Sequence, residues 1–127
     1  MTVADTDVLI DYLREVSPGA DWIERELATG GLSISAITRF ELLAGARQPK
    51  HLEKVTALIA LVTTIPLSDA AADRAGDIAR DLAAKGQEIG TADTLIAGTV
   101  LVHGGTLLTR NRKHFERVPG LALADRG

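Results

Sequence analysis

The sequence predicts an α/β fold in which a central parallel β-sheet is covered by helices on both faces. Short apolar stretches typical of strands alternate with helical patterns along the chain, as in parallel sheets built with crossover helices. Of the 127 residues, 46% are apolar but only 3% are aromatic, so the core must consist of Leu, Ile, Val and Ala. This length suits one ordinary domain with its own core, and we expect residues 1–127 to form it.

Glycine, proline and capping residues set the boundaries of the predicted elements. Pro18 and Gly30 end successive helical patterns, and Pro66 interrupts the third strand, which indicates either an edge strand or a strand end. Ser68 or Asp69 caps a long alanine-rich helix. The predicted strands are residues 1–4, 32–35, 64–67, 106–109 and 121–124, and the predicted helices are residues 7–14, 20–28, 36–47, 51–62, 69–85 and 91–103.

Three acidic residues, Asp5, Glu41 and Asp93, lie inside apolar stretches where a predicted strand gives way to a helix. Ligands of open parallel sheets bind beyond the carboxyl ends of the strands, where these acids can meet Asn111, which follows the fourth strand. Converging carboxylates repel one another and retain protons unless a cation joins them. Mg²⁺ and Mn²⁺ prefer oxygen ligands, so the sequence predicts a carboxylate-lined metal site.

Each of these residues also has an ordinary structural explanation. Asp5 alone is typical of a helix N-cap, Asp93 can stabilise the start of a helix, and Asn111 suits a turn. Glu41 has apolar neighbours, and a buried carboxylate without a partner is costly, which favours a functional role. The joint pattern therefore favours a site over separate structural roles.

Two charged runs have simpler interpretations. Aspartates recur every four residues from Asp69 to Asp81, and we interpret them as the solvated face of a helix, paired with nearby Arg and Lys. The run R-N-R-K-H-F-E-R at 110–117 would be a solvated loop on charge alone, but it directly follows Thr109 at the end of a predicted strand. The net charge of −3 argues against a general nucleic-acid coat and still permits such a local basic rim.

The remaining features concern location and partners. The chain has no cysteine, which suits a reducing cytoplasm, and no apolar run reaches the roughly 18 residues of a membrane span. Trp22, the single tryptophan, lies in the charged segment D-W-I-E-R-E. A half-exposed Trp in such a setting is typical of a hot spot for a partner helix, whereas Leu43 is interpreted as core.

Four segments together resemble the PIN-domain ribonuclease toxins of VapC type. They are M-T-V-A-D-T-D-V-L-I-D, S-A-I-T-R-F-E-L-L-A-G, I-G-T-A-D-T-L-I-A and T-L-L-T-R-N-R-K-H-F-E-R-V-P-G-L, in the order and spacing of that family and over essentially the whole chain. The resemblance implies a PIN-like domain, a parallel sheet with helices on both faces, in which acidic residues bind Mg²⁺ or Mn²⁺ and cleave RNA. It also implies a VapB-like antitoxin as partner and often a homodimer.

By this resemblance the family's acids fall on Asp5, Glu41 and Asp93, and its fourth polar position falls on Asn111, where many members have Asp. His114 stands where an acidic residue is frequent. Two further residues, Thr6 and Thr109, match small hydroxyl positions that flank the site.

The chemistry expected from this set is metal-assisted phosphodiester hydrolysis by an endoribonuclease. Asp5 and Asp93 would hold the cation directly or through water, and Glu41 would orient the attacking water or act as its base. Phosphates flanking the cleaved bond would be bound by the basic residues Arg110, Arg112 and Lys113.

Two other classes of protein remain open on sequence grounds. A phosphoacceptor signalling domain is also a parallel α/β fold with clustered acids, but it needs a Lys after a late strand, where this chain has Arg110 and Asn111. A catalytically silent binding module is opposed by the presence of Asp5, Glu41 and Asp93 together.

Overall fold

The computed structural model describes residues 1–125, in which four strands form one parallel sheet in the order β3-β2-β1-β4. Val3 of β1 is in register with Ser33 of β2 on one side and with Leu107 of β4 on the other. The predicted parallel sheet is therefore confirmed, as is the edge position of β3, which ends just before Pro66. The strands are β1 (Thr2–Ala4), β2 (Leu32–Ser35), β3 (Thr63–Ile65) and β4 (Thr106–Leu108).

Seven helices connect and cover the strands in this part of the chain. Serine caps begin two of them, since the hydroxyls of Ser35 and Ser68 accept the backbone N–H groups of Thr38 and Ala71. None of the helices within residues 1–125 combines the length and the apolar character that crossing a bilayer requires. The helices are α1 (Thr6–Leu13), α2 (Gly19–Thr29), α3 (Ala36–Gly45), α4 (Pro49–Ala60), α5 (Asp69–Ala84), α6 (Thr91–His103) and α7 (Arg112–Phe115).

The sheet separates two hydrophobic cores. Adjacent residues of a strand point to opposite faces, and accordingly Val3 and Leu107 belong to one core while Ala4 and Leu108 belong to the other. Helices on both faces of the sheet, as predicted, bury these cores. One core contains Val8, Leu9, Ile23, Val55 and Leu58 from α1, α2 and α4, and the other contains Ile78, Leu82, Ile96, Val100 and Phe115 from α5, α6 and α7.

Helices α5 and α6 approach each other closely because α6 carries a glycine at the crossing. A Cβ atom at Gly98 would lie 2.7 Å from the carbonyl oxygen of Ala71 and 2.9 Å from the Cβ atom of Ala75. Both distances are shorter than van der Waals contact, so only glycine fits at this position without movement of a helix. The small side chains of Ala71 and Ala75 on this face of α5 likewise permit close packing.

Three sequence expectations were wrong in detail. Residues 121–124 do not form a full strand; they meet β4 at one bridge, Leu107 with Leu123, because the backbone pairs there only through Ala122 and Ala124. The run at 110–117 is not simply a loop, since α7 forms within it. Leu43 is 39% exposed and not core, because it lies on the outer side of α3 from the buried Leu42.

Candidate active site

Asp5 lies at the carboxyl edge of the sheet, directly after β1. Its side chain is 5% exposed. The Oδ1 atom accepts the Thr6 backbone N–H at 2.8 Å, so Asp5 is the N-cap of α1. The Oδ2 atom accepts the hydroxyl of Thr109 at 2.7 Å, because β1 and β4 are neighbours and Thr109 follows β4. The carboxyl group therefore has the structural role of a cap and also faces the strand-end cleft.

Glu41 is joined to this edge through α3. The hydroxyl of Thr6 donates to Glu41 Oε1 at 2.7 Å and lies 3.0 Å from the hydroxyl oxygen of Thr38. Thr38 lies one helical turn before Glu41, so both side chains occupy the same face of α3. Since the single hydrogen of Thr6 goes to the carboxylate, the Thr38 hydroxyl donates to Thr6. Sequence reasoning missed Thr38, although its spacing from Glu41 could have revealed it.

Asp93 lies in the first turn of α6 and meets the segment that follows β4. Its Oδ2 atom is 3.4 Å from the amide nitrogen of Asn111 and 3.3 Å from Nδ1 of His114. The Asn111 amide is also 2.9 Å from Nδ1 of His114. That ring nitrogen either accepts from Asn111 or donates to Asp93, according to its protonation. The backbone N–H of Asn111 donates to the Thr109 hydroxyl at 2.9 Å, which links this group to Asp5.

All four predicted site residues thus belong to one hydrogen-bonded assembly at the carboxyl edge of the sheet. One branch runs from Asp5 through Thr6 to Glu41, and the other runs from Asp5 through Thr109 and Asn111 to Asp93.

Burial and neighbouring charge make the Asp5 carboxyl hard to ionise. Burial raises the pKa of Asp5 to about 7, and the charges of Asp7 and, more weakly, Asp93 act in the same direction. The hydrogen bonds from Thr109 and from the Thr6 backbone oppose the rise in pKa only in part. Near neutral pH this carboxyl is therefore partly protonated, and a cation that bound there would compete with its proton.

Asp7 and Asp11 on α1 are further acidic residues that the sequence reasoning did not single out for the site. Asp7 Oδ2 accepts the Arg110 backbone N–H at 3.1 Å, while its Oδ1 is buried with no hydrogen-bond partner among residues 1–125. Burial raises the pKa of Asp7. Asp11 binds the Arg110 guanidinium through both carboxylate oxygens. The four-residue spacing of the two acids could have indicated a shared helix face.

The basic residues after β4 differ in their surroundings. The guanidinium of Arg112 donates to the carbonyl oxygen of Ala124 at 3.2 Å and lies 3.9 Å from a carboxylate oxygen of Glu116. Lys113 is exposed at the surface. Arg110, the third of the predicted phosphate contacts, is held by Asp11.

The donor atoms at this edge suit a hard cation, although the side chains do not form a ready-made binding group. Across residues 1–125, no three His, Asp or Glu side chains as they stand could hold a metal ion. The carboxylate oxygens of Asp5, Glu41 and Asp93 nevertheless form no ion pair with Lys or Arg in the same part of the chain. Like charges repel, and carboxylates that share a cation close around it on binding.

This fold and this acidic edge define a class of protein. The chain matches the PIN-domain family over residues 2–121. It is 37% identical over 115 residues to Ribonuclease VapC10 of Mycobacterium tuberculosis, covering 91% of this chain and 86% of that protein. It is 34% identical over 125 residues to the tRNA(fMet)-specific endonuclease VapC of Shigella flexneri, covering 95% and 94% of the two chains. The chain belongs to the VapC ribonucleases of the PIN-domain family, and the resemblance seen in its motifs is confirmed.

Solved structures agree with this assignment. The DNA-bound VapBC of Salmonella typhimurium contains a chain similar to this one with a TM-score of 0.84 and 28% identity, covering 99% of this chain and 98% of that chain. VapBC-1 of nontypeable Haemophilus influenzae gives a TM-score of 0.85 and 27% identity, covering 98% and 97%. The solved relatives extend the likeness over nearly the full length of both chains.

Proposed function

We propose that this ribonuclease is an endonuclease that hydrolyses internal phosphodiester bonds of RNA, with Mg²⁺ or Mn²⁺ held by Asp5, Asp93 and Glu41. The observation that carries the proposal is the Asp5 carboxyl, which is buried beside Asp7 and Asp93 and has a pKa of about 7. A buried acid surrounded by other acids favours replacement of its proton by a cation at neutral pH. The all-oxygen set formed by the three carboxylates suits Mg²⁺ or Mn²⁺ better than a thiophilic metal.

The chain's own residues prepare the site for the reaction. When bound, the cation supplies Lewis-acid activation of a phosphate oxygen and of a water molecule. The Thr6 hydroxyl fixes one carboxylate oxygen of Glu41, so that the other is free to orient the attacking water or to accept its proton. In Asp5 both carboxylate oxygens are fixed, Oδ1 by the Thr6 backbone N–H and Oδ2 by the Thr109 hydroxyl. Because both threonine hydroxyls donate to carboxylates, we propose that they act on substrate only through those acids.

The segment after β4 supplies the contacts to RNA. Asn111 and His114 surround the carboxylate of Asp93, and Lys113 lies exposed beside them. Phosphate oxygens on either side of the cleaved bond would meet Lys113 and Arg112, as the resemblance implies. A phosphoacceptor domain is not favoured, because the family match is to ribonucleases.

RNA cleavage by the purified protein tests this proposal. Asp5→Asn and Asp93→Asn keep the shape of the side chains and remove the charges that hold the cation, so cleavage should fall by at least about 100-fold. Asp81→Asn changes an exposed aspartate paired with Lys85 on α5 and should retain the wild-type rate. Sequencing of the product ends would locate the cut, and equal rates for Asp5→Asn and Asp81→Asn would refute the assigned site.

A VapB-like antitoxin is the partner we propose, with both proteins in the cytoplasm. Similar chains have been solved as VapBC complexes. A groove of about 570 Å³ between α1, α2 and α4 combines apolar Tyr12, Leu58 and Leu61 with acidic Asp21 and Glu24. Such a lining suits a helix that carries apolar and basic side chains. The homodimer stays a prediction that the mass in solution tests.

Leu61 offers a sharp test of this groove because it is 65% exposed at the end of α4. Leu61→Asp should weaken antitoxin binding at least tenfold, which is about 1.4 kcal/mol. Leu52→Asp places the same charge on α4 outside the groove lining, at a residue that is 43% exposed, and should leave the affinity unchanged. Calorimetric titration measures both affinities. Trp22, which is half-buried against the core, remains a second candidate for a contact with the antitoxin.

A further inference from the structure

Arg110 lies beside the site but is turned toward α1. Its Nε atom donates to Asp11 Oδ2 at 2.6 Å and its Nη2 atom donates to Asp11 Oδ1 at 3.1 Å, a two-point pair that fixes the orientation of both groups. The side chain of Asp11 is only 11% exposed, so it has left water for this contact. An ordinary surface pair contributes little, whereas a half-buried bidentate pair holds one geometry.

The carboxylate of Asp11 packs closely against the start of α2. A Cβ atom at Gly19, in the first turn of α2, would lie 2.2 Å from Asp11 Oδ2. The backbone of α2 therefore packs directly against the acid. The same aspartate keeps its backbone carbonyl bonded to the N–H of Val16 at 2.9 Å. Asp11 is thus held in place by its neighbours, and the guanidinium of Arg110 binds to it.

The backbone of Arg110 also binds to α1, in addition to the side-chain pair. Its N–H donates to Asp7 Oδ2 at 3.1 Å, one helical turn before Asp11. The residues on either side of Arg110 are those that reach the site, since Thr109 donates to Asp5 and Asn111 contacts Asp93. A change of backbone direction at Arg110 would therefore move both contacts together.

We propose that Arg110 is a positioning residue: by binding Asp11 and Asp7 on α1, it sets the segment 109–111 so that Thr109 and Asn111 hold Asp5 and Asp93 in their working places. This role differs from the phosphate contact that its charge and position in the sequence indicate. It rests on the proposed ribonuclease activity of the same site.

Steady-state cleavage of a fluorescent RNA that carries the mapped wild-type cut separates the two roles. A positioning role predicts that Arg110→Gln lowers kcat about 10- to 100-fold with KM within about twofold. Asp11→Asn should give the same loss, although it removes no positive charge. If Arg110 bound phosphate instead, Asp11→Asn would leave kcat intact, and Arg110→Gln would raise KM and reduce the slope of log binding against log salt by about 0.7.

Further variants distinguish positioning from loss of folding. The double variant Arg110→Gln/Asp11→Asn leaves no unpaired buried charge and should fold, with a kcat equal to that of either single variant, since both remove one contact. Arg110→Lys makes only a single-point pair and should recover part of the lost kcat. Arg80→Gln breaks an exposed Arg–Asp pair on α5 and should behave as wild type.

Amide hydrogen exchange gives a readout that does not depend on catalysis. Exchange at Asn111, whose N–H is bonded to Thr109, should quicken more than exchange at core amides in both Arg110→Gln and Asp11→Asn. If the wild-type protein did not cleave RNA, the proposed function would be overturned. Amide exchange at Asn111 would then still test whether the Arg110–Asp11 pair holds the segment 109–111 in place. Active Asp11→Asn with wild-type kcat and wild-type exchange would overturn the positioning role.

Discussion

At the scale of single residues, Asp5 bears on both the proposed chemistry and the stability of this protein. It accepts two hydrogen bonds that fix its place, and burial together with the charge of Asp7 raises its pKa to about 7. The folded protein therefore binds a proton at Asp5 in a range of pH where the unfolded chain, with the ordinary pKa of 3.8, has released it. The site is less stable when Asp5 is ionised and no cation replaces the proton.

This linkage predicts a pH dependence of unfolding. Because the folded-state pKa is the higher one, the contribution of Asp5 is fully present below pH 4 and is lost as the pH rises toward about 7, at ~1.4 kcal/mol per unit of pKa difference. The raised pKa of Asp7 adds a change of the same sign. In the presence of a chelator, the melting temperature should fall between pH 4 and 7, and Asp5→Asn should flatten that fall. A parallel decline in the variant would assign the effect to other groups.

The acidic site residues could be predicted from the sequence better than the residues that contact the site from neighbouring helices. Asp5, Glu41 and Asp93 were recognisable because carboxylates beside apolar residues are costly without a role. Thr38, Asp7 and Asp11 were not singled out, since hydroxyls and aspartates are ordinary on helices, and the fold brings them to the edge of the sheet.

At the scale of elements, the contact between α5 and α6 depends on one missing side chain. Gly98→Ala would place a methyl group 2.7 Å from the Ala71 carbonyl and must push the helices apart, at a cost of roughly 1–3 kcal/mol. Gly45→Ala, at the end of α3 with no atom within 4 Å of the added Cβ, should be neutral or slightly stabilising. Urea unfolding of both variants gives the comparison, and equal midpoints would show that α6 shifts without cost.

The elements were predictable where local signals were strong. The sequence offered Ser68 or Asp69 as the cap of α5, and Ser68 is the cap. The strand end at Pro66 and the pairing of α5 aspartates with nearby Arg and Lys were also predicted correctly, because each depends on neighbours within four residues. The helix α7 was missed because four residues are too short to show a period. The stretch 121–124 has strand character in composition but finds a partner only at Leu107.

At the scale of the whole molecule, the order of the strands in the sheet could not be predicted from the sequence. Alternating strands and helices predict a parallel sheet, but many orders satisfy that pattern, and the choice depends on how the helices pack on each face. The order β3-β2-β1-β4 places β1 between β2 and β4, so that Asp5, α3 and the segment after β4 share one edge. Convergence of the site follows from this order.

Metal binding should be visible in the stability of the whole chain. A cation that binds the folded protein alone raises its melting temperature by mass action, so millimolar Mn²⁺ should stabilise the wild-type protein. Asp93→Asn should lose most of that gain, whereas Asp81→Asn, on the solvated face of α5, should keep it. Differential scanning calorimetry with and without Mn²⁺ measures the shift. A gain of equal size in Asp93→Asn would place the cation elsewhere.

The pairing of β1 with β4 also has a consequence for synthesis. Asp5 and Thr109 are hydrogen-bonded although 104 residues separate them in the chain. A ribosome makes Asp5 and Glu41 well before β4 and the segment after it, so the acids emerge long before the residues that fix them. Until β4 has joined the sheet, the nascent polypeptide therefore lacks the hydrogen bonds that hold Asp5 and Asp93 in place, and the site is not assembled.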